Sequence, residues 1–213
     1  VQELPKETIC LNWGYDADWP EDSTRKLSEA GARLYNCPGV SGWDQLVNQI
    51  RVSYENISRM CRYAHTYKAE GVLNTDWGDC GHINHPDFSL PGMIYGAAFS
   101  WNLDIPEFED MNRQISRVAY GDETGTLVSL LARISESWKF TWRNAVDWLE
   151  QAPDVRLESA EVYGKAVEDL EQIQTELYQS ITHLPIAQRG QIHAYLIAVK
   201  GMILLQKIGI VLT

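Results

Sequence analysis

Short apolar runs alternate with helical spacing through the first half of the chain. Residues 8–13, 32–37 and 71–74 are apolar or β-branched and are flanked by Gly or Pro, which is typical of buried strands. Residues 20–31 lie between the first two runs and carry helix start and stop signals, namely acids and hydroxyls after Pro20 and the C-cap residue Gly31. Residues 43–69 repeat apolar positions at helical intervals. Repeated βα units of this kind predict a parallel sheet, either doubly wound or part of a (β/α)8 barrel.

The second half of the chain shows only helical spacing. No strand is predicted after about Leu103, where the apolar pattern changes, and Pro153 is predicted to separate two of the helices. The last two helical patterns are joined by a turn at His183, Leu184 and Pro185, which predicts an antiparallel hairpin. The helical patterns occupy residues 106–119, 127–137, 140–151, 159–182 and 192–212.

Aromatic and acidic side chains gather where the predicted strands end. Because the carboxyl ends of parallel strands meet on one face, these residues are expected to lie close together. A pyranose ring stacks on aromatic rings and its hydroxyls need charged acceptors, so the pattern favours a sugar pocket. The alternative is that the tryptophans belong to the core and the acids cap loops. The residues that fit a sugar pocket are Trp13, Tyr15, Asp16, Trp43, Asp76, Trp77 and Asp79.

The charge balance excludes two classes of partner. With 29 acidic and 18 basic residues among 213, the formal net charge is −11, so there is no basic patch to follow nucleic acid or an anionic membrane. The apolar stretch 192–212 is interrupted by Lys200, Gln206 and Lys207. Its uncharged run is shorter than the roughly 20 residues that span a bilayer. A buried core helix in a globular protein without nucleic-acid or membrane partners is therefore expected.

Metal, thiol and nucleotide chemistry each lack a supporting pattern. The possible metal ligands mix hard and soft donors without a known zinc spacing. Cys37 and Cys80 lack an evident base and orienting group, and no glycine-rich phosphate loop occurs. We therefore expect free thiols, no metal and no cofactor. The residues that could act as metal ligands are Asp76, Asp79, Cys80, His82 and His85.

Three motifs together carry a family resemblance. They are WGYDADWP at 13–20, LYNCPGVSGWD at 34–44 and EGVLNTDWGDCGHINHPDFSLPGMIYGAAFSW at 70–101. In sequence and spacing they resemble the closing part of bacterial family 20 glycoside hydrolases, the β-N-acetylhexosaminidases. The helical tail is similar to extensions that follow the barrel in some of these proteins. The resemblance covers about residues 8–101 and implies that the three strands are the sixth to eighth of a (β/α)8 barrel.

The resemblance also implies roles for individual residues. Trp13 and Trp77 match pocket-wall tryptophans, Tyr35 matches a tyrosine that contacts the acetamido oxygen, and Asp79 stands where the family usually has a hydroxyl-binding Glu. Cys37 replaces a common Asp, which departs from the family pattern. In the family an adjacent Asp-Glu pair performs substrate-assisted hydrolysis. The sole Asp-Glu dipeptide here, at 122–123, falls in a predicted turn and helix start.

These observations predict an α/β plus α fold, with the last three βα units of a (β/α)8 barrel at 1–103 and an all-helical domain at 104–213. The expected function is that of a C-terminal fragment of a β-N-acetylhexosaminidase-like glycosidase. It would form one wall of the sugar pocket and lack catalytic residues, so that the fragment alone is inactive. The alternative is a non-catalytic carbohydrate-binding or assembly module.

The expected partners are an N-acetylhexosaminide-like carbohydrate, the missing N-terminal part of the barrel, and a second copy bound through the exposed sheet edge. The expected compartment is the bacterial cytoplasm. Since the chain starts at Val1 without Met and resembles a fragment, any export signal would precede it. The predicted substrate-binding residues are Trp13, Asp16, Tyr35, Trp43, Asp76, Trp77, Asp79 and His82.

Overall fold

The computed structural model describes residues 3–151 and 156–213, so that Pro153 lies outside the described residues. Three strands, β1 (Ile9–Trp13), β2 (Arg33–Cys37) and β3 (Gly71–Val72), form one sheet in the order β1-β2-β3. Both pairings are parallel. All three strands therefore deliver the following loop to the same edge of the sheet.

Helices make up most of the remaining chain. The sequence predicts α2 from residue 43, but α2 begins at Ile50, because residues 43–49 form a loop in which Asp44 has a left-handed φ of 59°. The helices of the first half are α1 (Asp22–Glu29), α2 (Ile50–Thr66) and α3 (Leu90–Trp101). Those of the second half are α4 (Phe108–Ala119), α5 (Leu127–Glu136), α6 (Trp142–Gln151), α7 (Ala160–Ser180) and α8 (Arg189–Leu212).

The prediction of three terminal units of a (β/α)8 barrel is wrong. The protein is a small α-rich fold, 61% helical, with a three-stranded sheet. Alternating strand and helix patterns indicate parallel pairing but do not specify how many strands join a sheet. Here β3 contributes two residues, and three short strands form an open sheet rather than the closed ring of eight that a barrel requires.

The first strand reverses the usual placement of apolar and polar side chains. Leu11 is 54% exposed and Trp13 is 63% exposed, so the prediction of a buried first strand is wrong. Asn12 and Asn36 instead face the helices. There the Asn12 amide donates to Thr24 Oγ1 at 2.9 Å and to Asn36 Oδ1 at 3.1 Å. The covered face therefore combines buried hydrogen bonds with the buried Leu34 of β2, whereas the open face beside β1 is apolar.

The outer edges of β1 and β3 pair with no other strand in the described part of the chain. An unpaired edge offers backbone groups to another chain. Association through this edge stays a prediction.

One apolar core crosses the boundary predicted at Leu103. Ile57 and Tyr95 belong to the same buried cluster as Leu131, Leu170 and Val199. The helices α7 and α8 form an antiparallel pair whose buried stripes supply much of this cluster. The division into parts 1–103 and 104–213 stays a prediction.

The stretch Ile186–Leu212 is long and apolar enough to cross a membrane by length and composition. In its most apolar window 44% of the residues are buried inside the protein. Core helices of globular proteins meet the same criteria, so the expectation of no membrane partner stays a prediction.

Asp122 caps the start of α5, as its position in a predicted turn suggested. Its Oδ1 accepts hydrogen bonds from the backbone N and hydroxyl of Thr124, and its Oδ2 accepts from the backbone N of Thr126 and Leu127, both at 2.9 Å. Burial alone would raise the pKa of this carboxyl, but the hydrogen bonds, led by that from the Thr124 hydroxyl, lower it overall. The ionised form therefore stabilises the fold.

Replacing Asp122 by Asn should lower the free energy of unfolding at pH 7 by about 1–3 kcal/mol, since an amide nitrogen cannot accept from the buried N–H groups. Because the folded pKa is lowered, this contribution is complete above the unfolded pKa of about 3.9 and disappears as pH falls through the folded value. Urea denaturation from pH 7 to pH 3 measures the difference. The exposed neighbour gives the control Glu123→Gln, which should change little. A wild-type advantage that does not shrink as the pH falls would contradict the assignment.

Candidate functional site

A cavity of about 350 Å³ opens at the carboxyl edge of the sheet. Trp13 ends β1 and Tyr15 follows it, Trp43 lies on the loop after β2, and Trp77 and Asp79 lie on the loop after β3. These five side chains line the cavity. Parallel pairing therefore brings together residues that are more than 60 positions apart in sequence.

Tyr15 is at the centre of the aromatic group. Its ring stacks on Trp13 with centroids 5.7 Å apart and lies 4.9 Å from the ring of Trp43. Its hydroxyl accepts a hydrogen bond of 2.8 Å from Trp77 Nε1. Trp13 and Trp77 remain 63% and 48% exposed, so they are surface rings held in place rather than core residues.

A second cavity, of about 480 Å³, adjoins the first along the open face of the sheet. The two cavities share Trp13, Tyr15 and Trp77. The second is mainly apolar, and its other lining residues are Leu11, Cys37, Leu73, Thr75 and Asp76. The three shared rings lie between the two cavities. Asp79 lines the first cavity and Asp76 lines the second.

The two acids have different surroundings. Asp79 is exposed and begins the short 3-10 helix Asp79–Gly81. Asp76 is half-buried, and its Oδ2 accepts a 2.6 Å hydrogen bond from the Ser89 hydroxyl. Its Oδ1 is buried and has no hydrogen-bond partner among the described residues. Asp76 is thus fixed by the protein, whereas Asp79 remains available to a ligand.

Three of the predicted site residues line neither cavity. Asp16 has an exposed side chain and takes part through its carbonyl oxygen, which accepts from Asn56. Tyr35 lies over Gly71, where an added Cβ would come within 3.1 Å of its ring. His82 has a left-handed φ of 49° and packs its ring against Gly78. Trp13, Trp43, Asp76, Trp77 and Asp79 are brought together by the fold.

The sequence interpretation missed the side chains of α2 that hold the loop after β1. The buried Asn56 donates from Nδ2 to the carbonyl oxygens of Gly14 and Asp16, both at 2.9 Å, and its Oδ1 accepts from Gly39 N at 3.1 Å. Arg59 donates to Ala17 O at 2.9 Å one turn later. The sequence signal that could have identified Asn56 is its position as a polar residue beside Ile57 on the apolar stripe of α2.

Gly39 allows the aromatic rings to approach the backbone. A Cβ at this position would lie 3.0 Å from the rings of both Trp43 and Tyr15. Its backbone N is also the donor to Asn56. A larger residue here would push the two rings apart.

A buried amide network joins the loops after β2 and β3. Asn84 donates to Gly42 O at 3.1 Å and to Asn48 Oδ1 at 2.9 Å, and Asn48 in turn donates to the Ser89 hydroxyl at 3.1 Å. Since Ser89 donates to Asp76, this network extends to the cavity lining. Left-handed φ angles in non-glycine residues, which concentrate at ligand sites, occur on these loops at Ser41, Asp44, Cys80 and His82.

The thiols near the site are not activated. The Cys80 pKa is raised, first by its hydrogen bond with Asp44, and burial raises the pKa of Cys37. Both are therefore protonated at neutral pH. All four cysteines are free, and within residues 3–151 and 156–213 no group of three or more His, Cys, Asp or Glu side chains is arranged to hold a metal ion.

The helical half of the chain holds the loop after β3. Trp142 Nε1 donates to Cys80 O at 3.0 Å, and Arg143 lies 3.8 Å from Asp44 and donates to Cys80 Sγ at 3.2 Å. Both residues belong to α6. The site is therefore supported from both halves of the chain.

No protein-family model matches the chain, and a search of curated proteins finds no match.

Replacing Asn56 by Leu should lower the free energy of unfolding by about 1–3 kcal/mol or more, because it leaves the buried N–H of Gly39 and two carbonyl oxygens without their partner. Urea denaturation measures the loss, and hydrogen exchange at the Gly39 amide locates it. The matched control is Arg62→Gln, an exposed change on the same helix. Wild-type stability together with an unchanged Gly39 exchange rate would show that Asn56 does not hold the loops.

Proposed function

We propose that this chain binds a β-linked N-acetylhexosamine residue in the cavity between Trp13, Trp43 and Trp77. It thereby supplies one wall of the sugar site of a glycoside hydrolase that resembles the β-N-acetylhexosaminidases. The observation that carries the proposal is the group of exposed, mutually fixed aromatic rings beside a free carboxylate.

The rings suit a sugar better than they suit a purely apolar ligand. A pyranose presents axial C–H groups on its faces and hydroxyls around its rim, so it needs aromatic faces and polar acceptors within a few ångströms of each other. Trp13 and Trp77 provide exposed faces, and Asp79 provides an acceptor on the same cavity. A cavity of about 350 Å³ lies at the lower end of the range found for small-molecule sites.

The aromatic rings are held in place before a ligand binds, so binding would cost little side-chain entropy. Trp77 is held through its indole N–H, which donates to Tyr15 and also to Thr75 Oγ1 at 3.1 Å. Thr75 in turn donates to Pro38 O at 2.8 Å. Rings that are fixed before the ligand arrives lose little rotamer freedom on binding, which favours affinity.

The proposed role is binding rather than bond cleavage by this chain alone. Most glycosidases use two carboxyl groups, and the resemblance implies an Asp-Glu pair in their place. Asp79 is the acid that lines the first cavity, and the Asp-Glu dipeptide at 122–123 caps α5. The general acid is proposed to come from a polypeptide segment other than residues 1–213.

Trp77→Ala should weaken binding of N,N′-diacetylchitobiose about tenfold or more, since it removes a stacked aromatic face worth roughly 1.5–3 kcal/mol. Isothermal titration calorimetry measures the change. Trp101→Ala is the matched control, because Trp101 is 93% exposed and lies on α3, away from both cavities. Equal losses in the two variants would contradict the site. Turnover of a chromogenic N-acetylglucosaminide by the 213-residue chain would contradict the non-catalytic role.

A further inference from the structure

The outward face of α8 carries an apolar stripe that no described part of the chain covers. Ile197 is 71% exposed, Leu204 is 60% exposed and Val211 is 83% exposed. They follow each other at intervals of seven residues, so they lie on one side of the helix and extend over about 21 Å at 1.5 Å per residue. The stripe is independent of the sugar cavity, which is lined by residues 13–79.

The spacing of the stripe is that of residues at the interface between two packed helices. Apart from Gly190 and Ile208, the exposed residues of α8 recur at alternating intervals of four and three, the pattern that packs two helices at a shallow left-handed crossing. The apolar members alternate with basic or ionisable ones, which gives the sequence His193, Ile197, Lys200, Leu204, Lys207 and Val211.

The arrangement of apolar residues is symmetric about Leu204. If two copies of α8 pack antiparallel around a two-fold axis at this residue, Leu204 meets Leu204 of the second copy and Ile197 meets Val211. An isologous interface requires such self-complementarity. The stripe therefore fits another copy of itself.

The charges around the stripe complement each other under the same symmetry. Lys207 lies 3.5 Å from Glu171 on α7, so Lys200, seven residues earlier, lies on the same side of α8. Lys200 forms no ion pair among the described residues. A two-fold axis perpendicular to the helices places both copies of α7 on this side. Lys200 then lies level with Glu168 and Glu171 of the second α7. Each of these exposed acids has one lysine of its own copy nearby, Lys165 and Lys207, both at 3.5 Å.

We propose that the chain forms a homodimer through antiparallel packing of α8 on α8, with Leu204 on the two-fold axis and Lys200 facing Glu168 and Glu171 of the second copy. This surface lies on the helical half and not on the edge of the sheet. A lipid surface is a poorer partner, because the acidic α7 flanks the stripe and the formal net charge of the chain is −11.

Sedimentation velocity over a range of concentrations tests the proposal with the 213-residue chain. The wild type should sediment as a dimer, and Leu204→Glu should be monomeric, because it brings two carboxylates together at the axis. Val118→Glu is the matched control, since Val118 is 88% exposed on α4, and it should remain dimeric. A wild type that stays monomeric at all concentrations would overturn the proposal, as would a dimeric Leu204→Glu variant.

Cross-linking and charge reversal identify the interface. Leu204→Cys should form a disulfide-linked dimer on mild oxidation, whereas Val118→Cys should not. Lys200→Glu should raise the dimer dissociation constant about tenfold, and adding Glu168→Lys should recover most of the loss. A dimer without the Leu204→Cys cross-link would contradict the assignment. So would co-sedimentation of the wild-type chain, but not of Leu204→Glu, with vesicles of phosphatidylcholine and phosphatidylglycerol.

Discussion

The candidate site depends on one buried amide. Asn56 joins the loop after β1 to the loop after β2 through three hydrogen bonds from a helix that is itself packed in the core. A buried amide that makes all of its hydrogen bonds fixes the loops that it contacts. If one of these bonds is lost, the buried polar group left without a partner destabilises the fold by its desolvation free energy. Tyr15 and Trp43 stand on the two loops that Asn56 connects. The geometry of the aromatic rings therefore follows from an α2 side chain that touches neither cavity.

The helical half of the chain extends this support. Trp142 and Arg143 on α6 contact the loop that carries Trp77 and Asp79, and Phe88, which follows the same loop, stacks on Tyr195 of α8 with centroids 4.0 Å apart. The opposite face of α8 is the one proposed to pair with a second copy. Dimerisation would thus stabilise the scaffold behind the site and leave the sugar cavity open.

Sequence reasoning located the strands and the aromatic group but not the extent of the sheet. Apolar runs bounded by Gly or Pro identified β1, β2 and β3, and parallel pairing then made Trp13, Trp43 and Trp77 neighbours. The number of strands in a sheet depends on contacts between residues far apart in sequence. Three βα units therefore could not show whether the sheet closes into a barrel. Burial of β1 was wrong because Asn12 and Asn36, not Leu11, face the helices. Ser89 and Tyr35 take positions set by tertiary contacts that no local pattern records, and for Asn56 the local signal was a polar residue beside the apolar stripe of α2.

Saturation-transfer NMR of methyl β-N-acetylglucosaminide with the wild-type chain tests the central claim most directly. We expect transfer to the axial ring protons of the sugar, which would stack on Trp13 or Trp77, and loss of this transfer in Trp77→Ala but not in Trp101→Ala. Absence of transfer to the sugar, or equal transfer in the Trp77→Ala variant, would contradict a carbohydrate site at these rings.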